Sequence, residues 1–61
     1  MNKITKARKE KGLSQEKLAK LIDVSYKTIY RIEKNENTDV RTAIKIAKIL
    51  EKTVEELFEE K

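Results

Sequence analysis

The sequence predicts an all-α fold, a compact five-helix domain built around a central helix-turn-helix. Two observations carry that prediction. Apolar residues, 38% of the 61, recur at helical spacing and show no strand-like alternation. A residue that caps helix N-termini, Ser14, Ser25, Asp39 or Thr53, precedes each of the last four periodic stretches. The same regular spacing favours a folded chain over a disordered one, although 43% of residues are charged.

The first segment places Ile4, Ala7, Arg8 and Lys11 on one helical face, and Gly12 follows where a helix takes a left-handed stop. Ser14 caps a second segment, about residues 15–22, whose inner face is Leu18, Ala19 and Ile22. Asp23-Val24 is a short turn, and Ser25 caps a third segment from Tyr26 to about Lys34. That segment turns Ile29 and Ile32 inward and Tyr26, Lys27, Tyr30 and Arg31 outward. Residues 35–38 are a loop, because asparagine tolerates positive φ. Asp39 caps a fourth segment carrying Val40, Ala43, Ile44, Ile46, Ala47 and Leu50. Thr53 and Glu56 form a capping box that opens a short fifth helix bearing Leu57 and Phe58. Residues 1–61 are expected to form a single domain, with the helix-turn-helix unit at about 14–34.

Composition excludes several kinds of chemistry. With no cysteine and no histidine, zinc, haem and thiol sites lack their usual ligands, and histidine-based catalytic triads cannot form. A carboxylate-only enzyme would need a deep pocket that so short a chain rarely supplies, so no enzyme, metal or cofactor is expected. The longest apolar runs fall far short of a membrane span, and the N-terminus lacks the apolar stretch of a signal peptide, so a cytoplasmic protein is expected. Charge is unevenly placed. The net is +4, but residues 51–61, with Glu51, Glu55, Glu56, Glu59 and Glu60 against Lys52 and Lys61, carry −3, leaving +7 on residues 1–50. A basic body with an acidic end suits a polyanion partner.

The second and third segments lie only three residues apart, which forces a large angle between their axes and presents the outer face of the third. At this junction the run Gly12-Leu13-Ser14-Gln15-Glu16-Lys17-Leu18-Ala19, then Val24-Ser25, then Thr28-Ile29-Tyr30-Arg31-Ile32-Glu33 closely resembles the lambda-repressor/Cro-like (XRE) helix-turn-helix family. The likeness continues through Ala43–Leu50 and Val54–Phe58. It implies a five-helix domain that binds operator DNA as a dimer, with the third helix in the major groove. Asp23 stands at the family's turn glycine, Lys34-Asn35 replaces its Asn-Gly, and the next loop lacks its usual proline and is about one residue short.

The resemblance assigns roles. Ser25, Tyr26, Lys27, Thr28, Tyr30 and Arg31 are the expected base readers: Lys27 can donate to guanine O6 and N7, and Thr28 or Tyr26 can touch a thymine methyl. No Asn or Gln is present there for adenine. Ser14, Gln15, Lys34, Asn35, Asn37 and Arg41 are expected at phosphates, where contacts fix register without reading sequence. Arg8 and Glu33 match positions that form an internal salt bridge, with Arg8 able to lend a donor to phosphate. Val54 and Phe58 are the expected dimer interface, with Leu21 and Ile49 as further apolar residues not assigned to the core. The expected partners are double-stranded DNA and a second copy of the chain, with no membrane and no small-molecule ligand. These readings together imply a bacterial or phage-encoded transcriptional repressor on a pseudo-palindromic operator; an antitoxin or a protein-binding adaptor on the same scaffold is the alternative.

Overall fold

A computed structural model describes residues 2–58, so Glu59, Glu60 and Lys61 of the acidic end lie outside the described residues. Five helices follow in order: α1 (Lys3–Glu10), α2 (Gln15–Leu21), α3 (Tyr26–Glu33), α4 (Val40–Leu50) and α5 (Val54–Phe58). No strand occurs among the described residues.

Each helix is started by a side chain that satisfies first-turn N–H groups. Asn2 Oδ1 accepts from the backbone of Ile4 at 2.6 Å and Thr5 at 3.3 Å. Ser14 Oγ accepts from Lys17, Ser25 Oγ from Thr28 and Asp39 Oδ2 from Thr42. At α5 the capping box is reciprocal: Glu56 N–H donates to Thr53 Oγ1 at 3.0 Å, and Thr53 N–H donates to Glu56 Oε1 at 2.8 Å. Such caps are each worth ~1 kcal/mol, which matters in helices too short to persist alone.

The first four helices all stop in the same way. A residue in the left-handed region follows the last turn, and the two N–H groups there bond back to carbonyls of that turn, leaving few of them unsatisfied. The left-handed residues are Gly12 (φ 72°), Asp23 (φ 61°), Asn35 (φ 69°) and Glu51 (φ 59°). In α2, for example, Asp23 N–H bonds to the Lys20 carbonyl and Val24 N–H to that of Ala19. Asp23 thus takes over the backbone task of the family's turn glycine, and Asn35 does the same for the α3–α4 loop.

The core is a cluster of Ile4, Ala7, Leu18, Ala19, Ile22, Ile29, Ile32, Ile46, Ala47, Leu50 and Leu57, with Val24, Ile49, Val54 and Phe58 partly buried against it. The α2–α3 pairing is the most extensive, and α5 closes the fold against α1 and α4. The apolar residues of the fourth segment do not all face inward. Its buried face is Thr42, Ala43, Ile46, Ala47 and Leu50, while Ile44 is exposed and Val40 is 74% exposed. Ile44 lies about 100° around the helix from Ala43, and Val40 sits on a first turn that overhangs the core. Leu21 is likewise exposed, outside the α2 stripe of Leu18, Ala19 and Ile22.

Candidate nucleic-acid interface

The frame of the site is one carboxylate. Glu33, at the end of α3, accepts from Arg8 Nε at 2.6 Å and Nη2 at 3.2 Å, from Thr5 Oγ1 at 2.9 Å and from Gln15 Nε2 at 3.0 Å. Arg8 also donates Nη1 to the Leu13 carbonyl at 2.6 Å. The side chains of Arg8 and Glu33 are 9% and 6% exposed. A buried pair is tolerable only when its remaining polar atoms are bonded, and no buried side-chain nitrogen or oxygen among the described residues lacks a partner. Burial pushes the Glu33 carboxyl up, but hydrogen bonds from Arg8, Gln15 and Thr5, with the Arg8 charge, outweigh it and hold the group below its ordinary 4.5. The hub therefore ties α1, the start of α2 and the end of α3 into one unit. A second tie runs from Asn2, whose Nδ2 donates to Asn35 Oδ1 at 2.7 Å and to the Ile32 carbonyl at 3.3 Å.

This frame corrects one expectation, the phosphate donor on Arg8. Arg8 is turned inward with donors committed to Glu33 and Leu13, so it is not placed to serve a phosphate. Gln15 spends one amide N–H on Glu33; the amide carries a second, so the side chain braces α3 and retains a donor. Asn2 and Thr5 were missed by the sequence reading. Asn2 had a signal, an asparagine just ahead of a helical stretch; Thr5 had none, because its partner is 28 residues away.

Held by that frame, α3 turns Ile29 and Ile32 into the core and leaves Tyr26, Lys27, Tyr30 and Arg31 exposed. The Tyr26 and Tyr30 rings lie with centroids 6.3 Å apart at 36°, and Lys34 Nζ sits 5.4 Å from the Tyr30 centroid. Ser25 and Thr28 are differently placed. Ser25 Oγ caps the helix and lies 3.1 Å from Thr28 Oγ1, and Thr28 is half-buried, so neither hydroxyl is as open as its neighbours. Ser14 is exposed at the head of α2, with its Oγ on the Lys17 N–H. Between α2 and the start of α3 runs an open groove of about 510 Å³, bordered by Ser14, Lys17, Lys20 and Tyr26.

Lys34, Asn35 and Asn37 are exposed on the loop after α3, and Arg41 is exposed in the first turn of α4. The first turn of α3 carries no acid and is capped by the neutral Ser25, so its positive end keeps most of its partial charge, whereas the Asp39 carboxylate caps α4 and offsets the charge there. The first turn of α2 carries Glu16, and that of α5 Glu55 and Glu56. The exposed cations Lys27, Arg31 and Lys34 line α3 and its end, and Arg41 stands in the first turn of α4. Val54 and Phe58 are half-buried on α5, and with Val40 and Asn37 they border a separate groove of about 270 Å³.

No group of three or more His, Cys, Asp or Glu able to hold a metal occurs among the described residues. No helix among them is long and apolar enough to cross a membrane. The sequence model of the helix-turn-helix family matches residues 4–57, nearly the whole chain. No curated protein and no solved structure matches it. The matched span contains the capped α2–α3 junction, the left-handed turn at Asp23 and the outward face of α3, and on that match the chain belongs to the XRE-type helix-turn-helix family of DNA-binding regulators.

Proposed function

We propose that this regulator is a repressor that binds a pseudo-palindromic operator as a two-fold dimer, with α3 in the major groove. The observation that carries the reading is α3 itself: two cations and two aromatic rings exposed on a helix whose far end is locked by the Glu33 hub. A helix read in the groove must be held rigidly, because a base contact is lost when its donor wanders by an ångström. On this reading Tyr26, Lys27, Tyr30 and Arg31 face base edges, with Ser25 and Thr28 at the groove margin. Ser14, Gln15, Lys34, Asn35, Asn37 and Arg41 hold phosphates on either side.

Size supports the dimer. The longest dimension of the domain is 28 Å, less than the ~34 Å between successive major grooves on one face of DNA, so one copy serves one half-site. The half-buried Val54 and Phe58, with the exposed Val40 beside them, are the surface through which two copies meet. Repression follows from occupancy, since a dimer on a promoter excludes polymerase. The setting is the bacterial or phage-infected cytoplasm, where such operators lie.

Selection of bound sequences from random duplex DNA tests this directly. The expected product is an inverted repeat with half-site centres one helical turn apart. Enrichment of an asymmetric single site refutes the dimer, and no enrichment at all refutes sequence-specific binding.

A further inference from the structure

The outward face of α3 is unusual in what it can distinguish. Its exposed groups are two cationic donors, Lys27 and Arg31, and two rings, Tyr26 and Tyr30, each tipped by a hydroxyl that can donate or accept. No carboxylate and no amide stands there, and the Thr28 hydroxyl is half-buried beside Ser25 Oγ. In the major groove adenine shows an acceptor and a donor, whereas thymine shows an acceptor and a C5-methyl group. A cationic donor finds an acceptor on either base, so Lys27 and Arg31 recognise guanine well but cannot orient an A·T pair. The methyl group can, if something apolar meets it.

The rings are set for that. Tyr26 and Tyr30 are 47% and 44% exposed, too open to be core residues. Tyr30 is nonetheless held on two sides, by the Tyr26 ring one turn earlier and by the Lys34 ammonium over its face. Ordered rings lose little freedom on binding. Their 6.3 Å separation exceeds the ~3.4 Å rise of one base pair, so a helix lying along the groove can present the two rings to different base pairs of a half-site.

We propose that Tyr26 and Tyr30 form an apolar reader of pyrimidine C5-methyl groups, and that the protein orients A·T pairs in its operator through those methyls. The proposal rests on the reading of α3 as the groove helix. Its test compares a selected operator duplex carrying thymine with the same duplex carrying deoxyuridine at the thymines facing α3, which deletes the methyl and nothing else. Loss of one methyl contact should weaken binding ~4-fold, and loss of a symmetric pair ~15-fold.

The Tyr26→Ala/Tyr30→Ala variant, confirmed folded by circular dichroism, should bind both duplexes equally, while Tyr26→Phe/Tyr30→Phe should keep the full preference. Equal binding of both duplexes by the wild type overturns the proposal, as does a preference that survives in the alanine variant or vanishes in the phenylalanine one. A selected half-site without thymine opposite α3 overturns it too. In these cases salt-sensitive operator binding remains and only methyl reading fails. A wild-type chain that binds no duplex removes the groove role of α3 and this proposal with it.

Discussion

Replacing Glu33 by glutamine should come close to unfolding the protein. The substitution keeps the size and shape of the side chain but removes its charge, and it supplies one acceptor oxygen where two were used. Oε1 now receives Thr5, Gln15 and Arg8 Nη2, while Oε2 receives Arg8 Nε at 2.6 Å. In the variant one of those sets meets an amide NH2, and the Arg8 guanidinium, 9% exposed, is left without a counter-charge. Breaking a buried pair on one side costs about 3–5 kcal/mol. A domain of this size without disulfide or metal has a net stability of only ~3–5 kcal/mol. Urea titration followed by circular dichroism, with an excluded osmolyte added to bring the variant's folded baseline into view, measures the loss. The Arg8→Met/Glu33→Leu double variant should be less damaged than either single variant, with a coupling energy of at least ~2 kcal/mol. A loss below ~1 kcal/mol for Glu33→Gln, or strictly additive effects, would show the pair to be no better than an exposed one.

Acid should act on the same group. Because the Glu33 carboxyl is held below its ordinary 4.5 when folded, its contribution is complete above that value and is lost as pH falls through the lower, folded one; Glu33→Gln should lack this part of the acid slope in urea midpoints. Asp23→Gly should raise stability by ~0.5–1 kcal/mol in the same assay, since aspartate at φ 61° carries a left-handed strain that glycine does not; a lowered midpoint would count against that. On DNA, Lys27→Ala should lose ~1–3 kcal/mol of preference at one or two base pairs per half-site, whereas Arg41→Ala should weaken operator and random duplex alike. Equal losses on both duplexes for Lys27→Ala would misplace the reading face. Phe58→Glu should give a folded chain whose melting temperature no longer rises with protein concentration; an unfolded chain would place Phe58 in the core, and an intact dimer would move the interface to Leu21 and Ile49.

Local chemistry was readable in the sequence, and long-range geometry was not. Ser14, Ser25, Asp39 and Thr53 mark helix starts through contacts three residues away, so their effect is encoded nearby. The inward stripe of Ile29 and Ile32 is fixed by helical period alone. Glu51 was not foreseen as a helix stop, because an ordinary residue adopts φ 59° there only to let the chain reverse into α5. Its carboxylate meets Lys11 Nζ at 2.8 Å across the fold, a contact no spacing announces. Val40 and Ile44 show the limit of periodicity: an apolar residue at a helix edge is buried only if another element covers it, and none does. In the site, the exposed face of α3 was legible from its period. That Gln15 braces Glu33 could be read from the family's pattern, but Thr5 and Asn2 entered the frame only through the way α1 folds back on α3.

The measurement that bears most directly on the account is the affinity for duplex DNA as a function of salt. If α3 and the first turn of α4 face the double helix, Lys27, Arg31, Lys34 and Arg41 displace counterions from it. A dimer neutralising ~4–8 phosphates should then show log K falling against log salt with a slope of about −4 to −7. An affinity that stays constant from low to physiological salt would contradict the placement of DNA on this surface.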